Sequence, residues 1–201
     1  MSSGEPTKLH YAKQVAAALG FIGLTRADRV KIETLGQPAH RPGPALRGRH
    51  SLWRMLEQLA NIEAGENVPL AQGVKNFCLR NSSSGLVVLI SDLLDKAGYE
   101  EALRYLLARQ MDIYVVHVLS QEELHPELQG DLRLVDCEDK SVAEITVSGP
   151  LLERYQRTLA AFVSGAKDFC TRRGIGYLLA DTQLGVDRLV GGYLRERGLI
   201  R

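Results

Sequence analysis

Between Asn81-Ser82-Ser83-Ser84-Gly85 and Ser91-Asp92 lie five consecutive apolar residues, Leu86-Val87-Val88-Leu89-Ile90, and they leave this chain few ways to fold. A short run bounded by turn residues, with no polar face, fits a strand buried on both sides. Strands of that kind belong to parallel sheets covered by helices, so the run predicts an α/β fold. The chain around it alternates in the same sense. Leu9, Ala12, Val15, Ala16, Leu19 and Ile22 recur at helical spacing and predict a helix over 7–25. Strict alternation over 30–35 predicts a strand with one buried face, and the Gly-, Pro- and Arg-rich stretch 36–48 reads as a loop with room for a short edge strand.

Helices are expected over 51–61 and 69–80, the second opened by Pro69 as its first residue. Another helix over 99–110 leads to a strand over 112–119. The segments 132–136 and 142–147 flank Glu138-Asp139-Lys140 and predict a β-hairpin inserted near 131–147. Pro150 opens the longest helix, which Arg172-Arg173-Gly174 close. A strand over 175–180 and a helix over 186–197 complete the pattern. Strands alternating with helices imply a doubly wound, mostly parallel sheet, and with no linker in view residues 1–201 read as one domain.

Lys+Arg 25 against Asp+Glu 24 leave a net charge of +1, without the clear basic excess usual in proteins that neutralise many phosphates, so nucleic acid is not the favoured partner. Cys78, Cys137 and Cys170 are odd in number and form no CxxC pair, which suits a reducing compartment better than a disulfide framework. No signal-peptide pattern opens the chain and no apolar run is long enough to span a bilayer, so the expected location is the cytoplasm. Catalytic motifs are missing: there is no Gly-x-Ser-x-Gly elbow, no Walker loop and no HExxH. Glu122-Glu123-Leu124-His125-Pro126 reads as a surface turn, and His117, inside an apolar strand, as a satisfied core or rim histidine.

The stretch Leu86-Val87-Val88-Leu89-Ile90-Ser91-Asp92-Leu93-Leu94-Asp95 resembles the von Willebrand factor A-like proteins encoded beside MoxR-type AAA+ ATPases, catalogued as domain-of-unknown-function family 58. The likeness continues through Tyr114-Val115-Val116-His117-Val118-Leu119, Leu132-Arg133-Leu134-Val135-Asp136, Tyr177-Leu178-Leu179-Ala180-Asp181-Thr182 and Tyr193-Leu194-Arg195-Glu196-Arg197-Gly198. It implies a sheet of von Willebrand factor A (Rossmann-like) type. It also implies a first, central strand ending in Asp-x-Ser-x-Ser, whereas 1–8 resembles the stretch directly after that motif. The domain is therefore expected to be N-terminally incomplete, with the strands at Val30 and Leu86 each keeping an unpaired edge.

In the family an ion sits at the C-terminal edge of the sheet, and Asp92 matches one of its ligands. The position of a second ligand, a threonine, aligns with Val68, which has no oxygen to offer. The expectation is no cofactor, with a weak Mg²⁺ site at Asp92 only if the chain extends upstream. Asp92, at the end of a parallel strand, also marks the usual ligand crevice of an open sheet. Ser91 and Asn67 are its candidate helpers. Arg41, Arg47 and Arg49, with His40 and His50, form a candidate anion- or partner-facing loop. Asp181 reads as a capping residue.

Together these readings predict a non-enzymatic adaptor that works with a MoxR-type AAA+ ATPase on a client protein, in chaperone-like maturation of a protein complex. The rivals are an Mg²⁺-dependent phosphoryl-transfer or hydrolytic enzyme and a truncated, non-functional frame.

Overall fold

The computed structural model describes residues 7–36, 43–64, 68–81, 84–126, 130–135 and 142–194. Helix α1 (Lys8–Thr25) starts where Thr7 Oγ1 accepts a hydrogen bond from the His10 amide at 3.2 Å, satisfying one of the first-turn donors. Strand β1 (Arg29–Val30) pairs antiparallel with β2 (Leu46–Arg47). A 3₁₀ turn (Arg49–Ser51) leads into α2 (Leu52–Ala60), and α3 (Leu70–Arg80) follows with Pro69 just before its first turn rather than in it.

Strand β3 (Leu86–Ser91) precedes α4 (Glu100–Leu107), β4 (Asp112–Leu119) and the single-turn α5 (Gln121–Leu124). The expected hairpin forms from β5 (Gly130–Val135) and β6 (Val142–Val147) as a separate antiparallel sheet. Helix α6 (Gly149–Thr171), β7 (Gly176–Asp181) and the short α7 (Val186–Arg188) complete the order. Beyond α7 the backbone opens into a π-helical turn (Leu189–Leu194), so among the described residues the last expected helix is α-helical over Val186–Arg188, and 195–197 lie outside them.

The core sheet is parallel, in the order β3-β4-β7. Helices cover both faces, as the doubly wound reading requires. On one face Leu89, Ile113, Val115 and Tyr177 meet Val74 and Cys78 of α3, Ala102, Leu103 and Leu106 of α4, and Ala166 and Cys170 of α6. On the other, Tyr114, Val116, Val118, Leu178 and Ala180 meet Tyr11 and Val15 of α1. A smaller cluster joins Leu24 of α1, Leu46, and Met55 and Leu59 of α2, beside the β1–β2 pair.

Two strand expectations need correction. The run at β3 is not buried on both faces: Leu86 is exposed, only Leu89 is buried, and the rest are half-buried. The strand buried on both faces is β4, because among the described residues β4 alone has a strand on each side. The strand expected over 30–35 also stops at Val30, and 31–35 lies outside any ladder.

Extended backbone needs a partner to count as a strand, and β2 offers only two residues. Instead 31–35 is tied to the end of α3, where Arg80 and Asn81 bond the Glu33 carboxylate at 3.1 and 3.0 Å and Lys31 pairs with it. Among the described residues β3 is an edge strand of the parallel sheet, whereas β1 lies in the separate β1–β2 pair rather than in that sheet.

Candidate functional site

Strands β3, β4 and β7 end within two residues of one another, because the register sets Ser91 beside His117 and Leu119 beside Asp181. Beyond β3 the chain turns sharply. Ser91 Oγ accepts from the Leu93 amide at 3.1 Å, Asp92 Oδ1 accepts from the Leu94 amide at 3.3 Å, and Leu93 takes a left-handed conformation (φ 57). Ser91 and Asp92 therefore do the work of turn residues, yet Asp92 keeps a free oxygen. That oxygen, Oδ2, accepts from Lys8 Nζ at 2.6 Å.

The same ammonium donates to Glu123 Oε1 at 2.7 Å. Glu123 is placed by a capping box at the start of α5: Ser120 Oγ accepts from the Glu123 amide, and Glu123 Oε2 accepts from the Ser120 amide at 2.9 Å. One cation thus bridges two carboxylates drawn from the ends of two neighbouring strands. Burial alone would lower the Lys8 pKa, but the charge of Asp92 and the hydrogen bonds to Asp92 and Glu123 outweigh it, so the value stands above that of a free lysine. Next to the cluster, the Tyr155 hydroxyl of α6 donates to the Glu123 carbonyl at 2.9 Å.

Beneath it lies His117, wholly buried. Its Nδ1 shares a 2.7 Å hydrogen bond with the Tyr177 hydroxyl, and its ring meets Phe162 edge-on. Nε2 has no well-formed hydrogen-bond partner, although the Asp92 backbone lies near enough to favour the charged ring. Of the two readings, core and rim, His117 takes the core one, with its well-formed hydrogen bond at Nδ1. Burial is the strongest influence and holds the His117 pKa below the usual imidazole value. The charges of Asp92 and Glu123 oppose that shift, and Lys8 reinforces it.

A base whose folded pKa is depressed contributes full stability above its unfolded value, about 6.5, and loses it as pH falls through that value towards the folded pKa. As pH falls below about 6.5 the wild type should lose stability from this residue, by at most about 1.4 kcal/mol per pH unit. His117→Gln should flatten that slope in urea titrations, and equal slopes would refute the assignment.

Other sequence candidates fall elsewhere. Arg47 is spent on structure, its Nε donating to the Ala27 carbonyl at 2.8 Å, and Arg49 opens the 3₁₀ turn two residues on. Neither is brought to the Asp92 cluster by a hydrogen bond or ion pair among those of the described residues. Arg41 and Asn67 lie outside the described residues, as does Cys137. Val68 precedes α3, whose first turn is instead capped by Asp95, with Oδ2 accepting from the Leu70 amide at 2.6 Å. Asp181 does cap a turn, accepting from the Gln183 amide at 2.9 Å.

Among the described residues no three His, Cys, Asp or Glu side chains converge as metal ligands would. Cys78 and Cys170 are free and buried; burial pushes the Cys170 thiol up to about 11, which keeps it protonated at neutral pH. The sequence reading missed Lys8 and Glu123. Ser120-Gln121-Glu122-Glu123 has the spacing of a capping box and would have placed Glu123 at a strand end, but nothing local marks Lys8.

The family model described as "Protein of unknown function DUF58" matches residues 1–162, a span that includes α1, Asp92 and Glu123. The chain belongs to the DUF58 family. Curated relatives include the uncharacterized proteins Rv1480 of Mycobacterium tuberculosis and Mb1516 of Mycobacterium bovis, each 26% identical over 157 residues. Those matches cover 77% of this DUF58 chain and 49% of either relative, so the chain spans about half the length of the curated relatives it matches.

Among solved structures, an aerotolerance-related membrane protein from Bacteroides fragilis has a TM-score of 0.50 at 13% identity, covering 96% of this chain and 90% of that one. A conserved hypothetical protein, BatB from Bacteroides thetaiotaomicron, has a TM-score of 0.49 at 13% identity, covering 88% and 82%. At such identity the first likeness speaks to the fold alone. No helix among the described residues is long and apolar enough to cross a membrane.

Proposed function

We propose that this DUF58 protein is a non-enzymatic interaction module of von Willebrand factor A type. In this reading it acts in the cytoplasm with a MoxR-type AAA+ ATPase, in chaperone-like maturation of a client complex. The observation that carries the reading is the surface around the strand ends. The exposed apolar side chains Leu9, Leu94, Leu151 and Tyr155 stand on the segments that bear Lys8, Asp92 and the Tyr155–Glu123 bond. Apolar anchors around a charged pair are the composition of a docking surface. The von Willebrand type is supported by the parallel sheet with helices on both faces and Asp92 at its C-terminal edge.

The test is capture from the native cell. The whole protein, tagged at its C-terminus and recovered after mild lysis, should bring an AAA+ ATPase with it in near-stoichiometric amount. A preparation with no ATPase, at a depth that detects one part in a hundred, would overturn the partnership.

A further inference from the structure

We propose that the Asp92–Glu123 pair is a docking site for a basic side chain of a partner protein, and that Lys8 is the chain's own occupant of that site, displaced when the partner binds. This rests on the interaction-module reading but not on the partner's being an ATPase.

The geometry is that of a filled cation site. Lys8 Nζ lies 2.6 Å from Asp92 Oδ2 and 2.7 Å from Glu123 Oε1. All three side chains stay partly open to water: 32% for Lys8, 37% for Asp92 and 25% for Glu123. An outside group can therefore reach the carboxylates without unfolding anything. Two carboxylates against one ammonium also leave the cluster one negative charge in excess, which attracts a further cation.

Beneath them His117 is fully buried, with Nε2 lacking a well-formed partner and its titration coupled to Asp92, Glu123 and Lys8. His117 thus lies against the cluster, with the Asp92 backbone beside its ring. On the segments that bear these groups, Leu9, Leu94, Leu151 and Tyr155 remain exposed, on α1, the β3–α4 turn and α6. Leu151 and Tyr155 lie one turn apart on the same helical face. A basic residue flanked by apolar ones complements both features.

Arginine suits the pair best, since its planar fork presents five donors where an ammonium has three. A divalent cation suits it less. Two carboxylates fall short of the roughly six oxygens such an ion prefers, and no third ligand converges among the described residues.

The test uses the whole chain and a short amidated peptide carrying one arginine between leucines, with a glutamine counterpart as control. Lys8→Ala vacates the site and should bind the arginine peptide at least about tenfold more tightly than wild type does, with no gain for the glutamine peptide. Adding Asp92→Asn or Glu123→Gln should remove the gain. Lys8→Met keeps the apolar stem of the side chain and supplies the same readout if the alanine variant folds poorly.

An unchanged affinity in both Lys8 variants, or an equal gain for the glutamine peptide, would overturn the proposal. So would a Lys8→Ala protein whose amide spectrum responds to Mg²⁺ alone and not to the arginine peptide. If no ATPase is captured but the peptide gain holds, only the ATPase partnership fails. If capture is undiminished by Asp92→Asn with Glu123→Gln, only this inference fails.

Discussion

Leu103→Ala lowers the free energy of unfolding by about 2–5 kcal/mol, the range for emptying a leucine site in a tight core. Leu103 is fully buried in the middle of α4, between Ala102 and Leu106, which are also buried. Around it the first core cluster gathers Val74 of α3, Leu89 and Val115 of the sheet, and Cys170 of α6, so several elements border the site. Collapse into the gap would have to move more than one of them, and the cavity term therefore persists. Urea unfolding should show a lower midpoint with an unchanged slope. A loss below about 1 kcal/mol would mean that α4 does not pack on the sheet as described.

Gly176→Val is expected to cost about 3 kcal/mol or more, at the upper end for overpacking. Gly176 opens β7 and sits opposite Tyr114 in the register of the parallel pair. A Cβ there would fall 2.2 Å from one ring carbon of Tyr114 and 2.5 Å from the next. Tyr114 is itself buried, in the cluster where Val116, Val118 and Leu178 pack against Tyr11 and Val15 of α1, so its ring has little room to swing. The first rung of the β4–β7 ladder would have to open instead. Thermal unfolding gives the check. A valine variant with a wild-type melting temperature would contradict the register.

Much of this fold was legible because hydrophobic period reports burial. The helix at Leu9 to Ile22, the strand ending at Leu119 and the hairpin all lie where their patterns placed them. Failures came where a segment's state depends on a distant partner. The run Leu86 to Ile90 has the composition of a doubly buried strand, yet β3 has only β4 beside it and Leu86 stays exposed. Glu33 reads as the solvent side of an alternating strand, but Arg80 and Asn81 close over it and its side chain is 6% exposed. Burial alone would raise its pKa; the hydrogen bonds from Lys31, Asn81 and Arg80 bring it below the usual carboxylate value.

The site was half legible for the same reason. A strand-end aspartate stands out at Asp92, whereas Lys8 lies 84 positions away and Glu123 115 positions away from Lys8, in contacts no local pattern encodes. Arg47 was singled out by charge clustering, a signal that does not distinguish a surface for ligands from a guanidinium bonded to its own backbone.

If the C-terminal edge of the parallel sheet is the docking face, as we propose, hydrogen exchange on the whole chain should change there when its captured partner is added. Exchange should slow at 92–97, at 120–125 and in the first two turns of α6, with no change in α2. Protection confined to α2 and the β1–β2 pair, with the Asp92 turn exchanging as before, would contradict it.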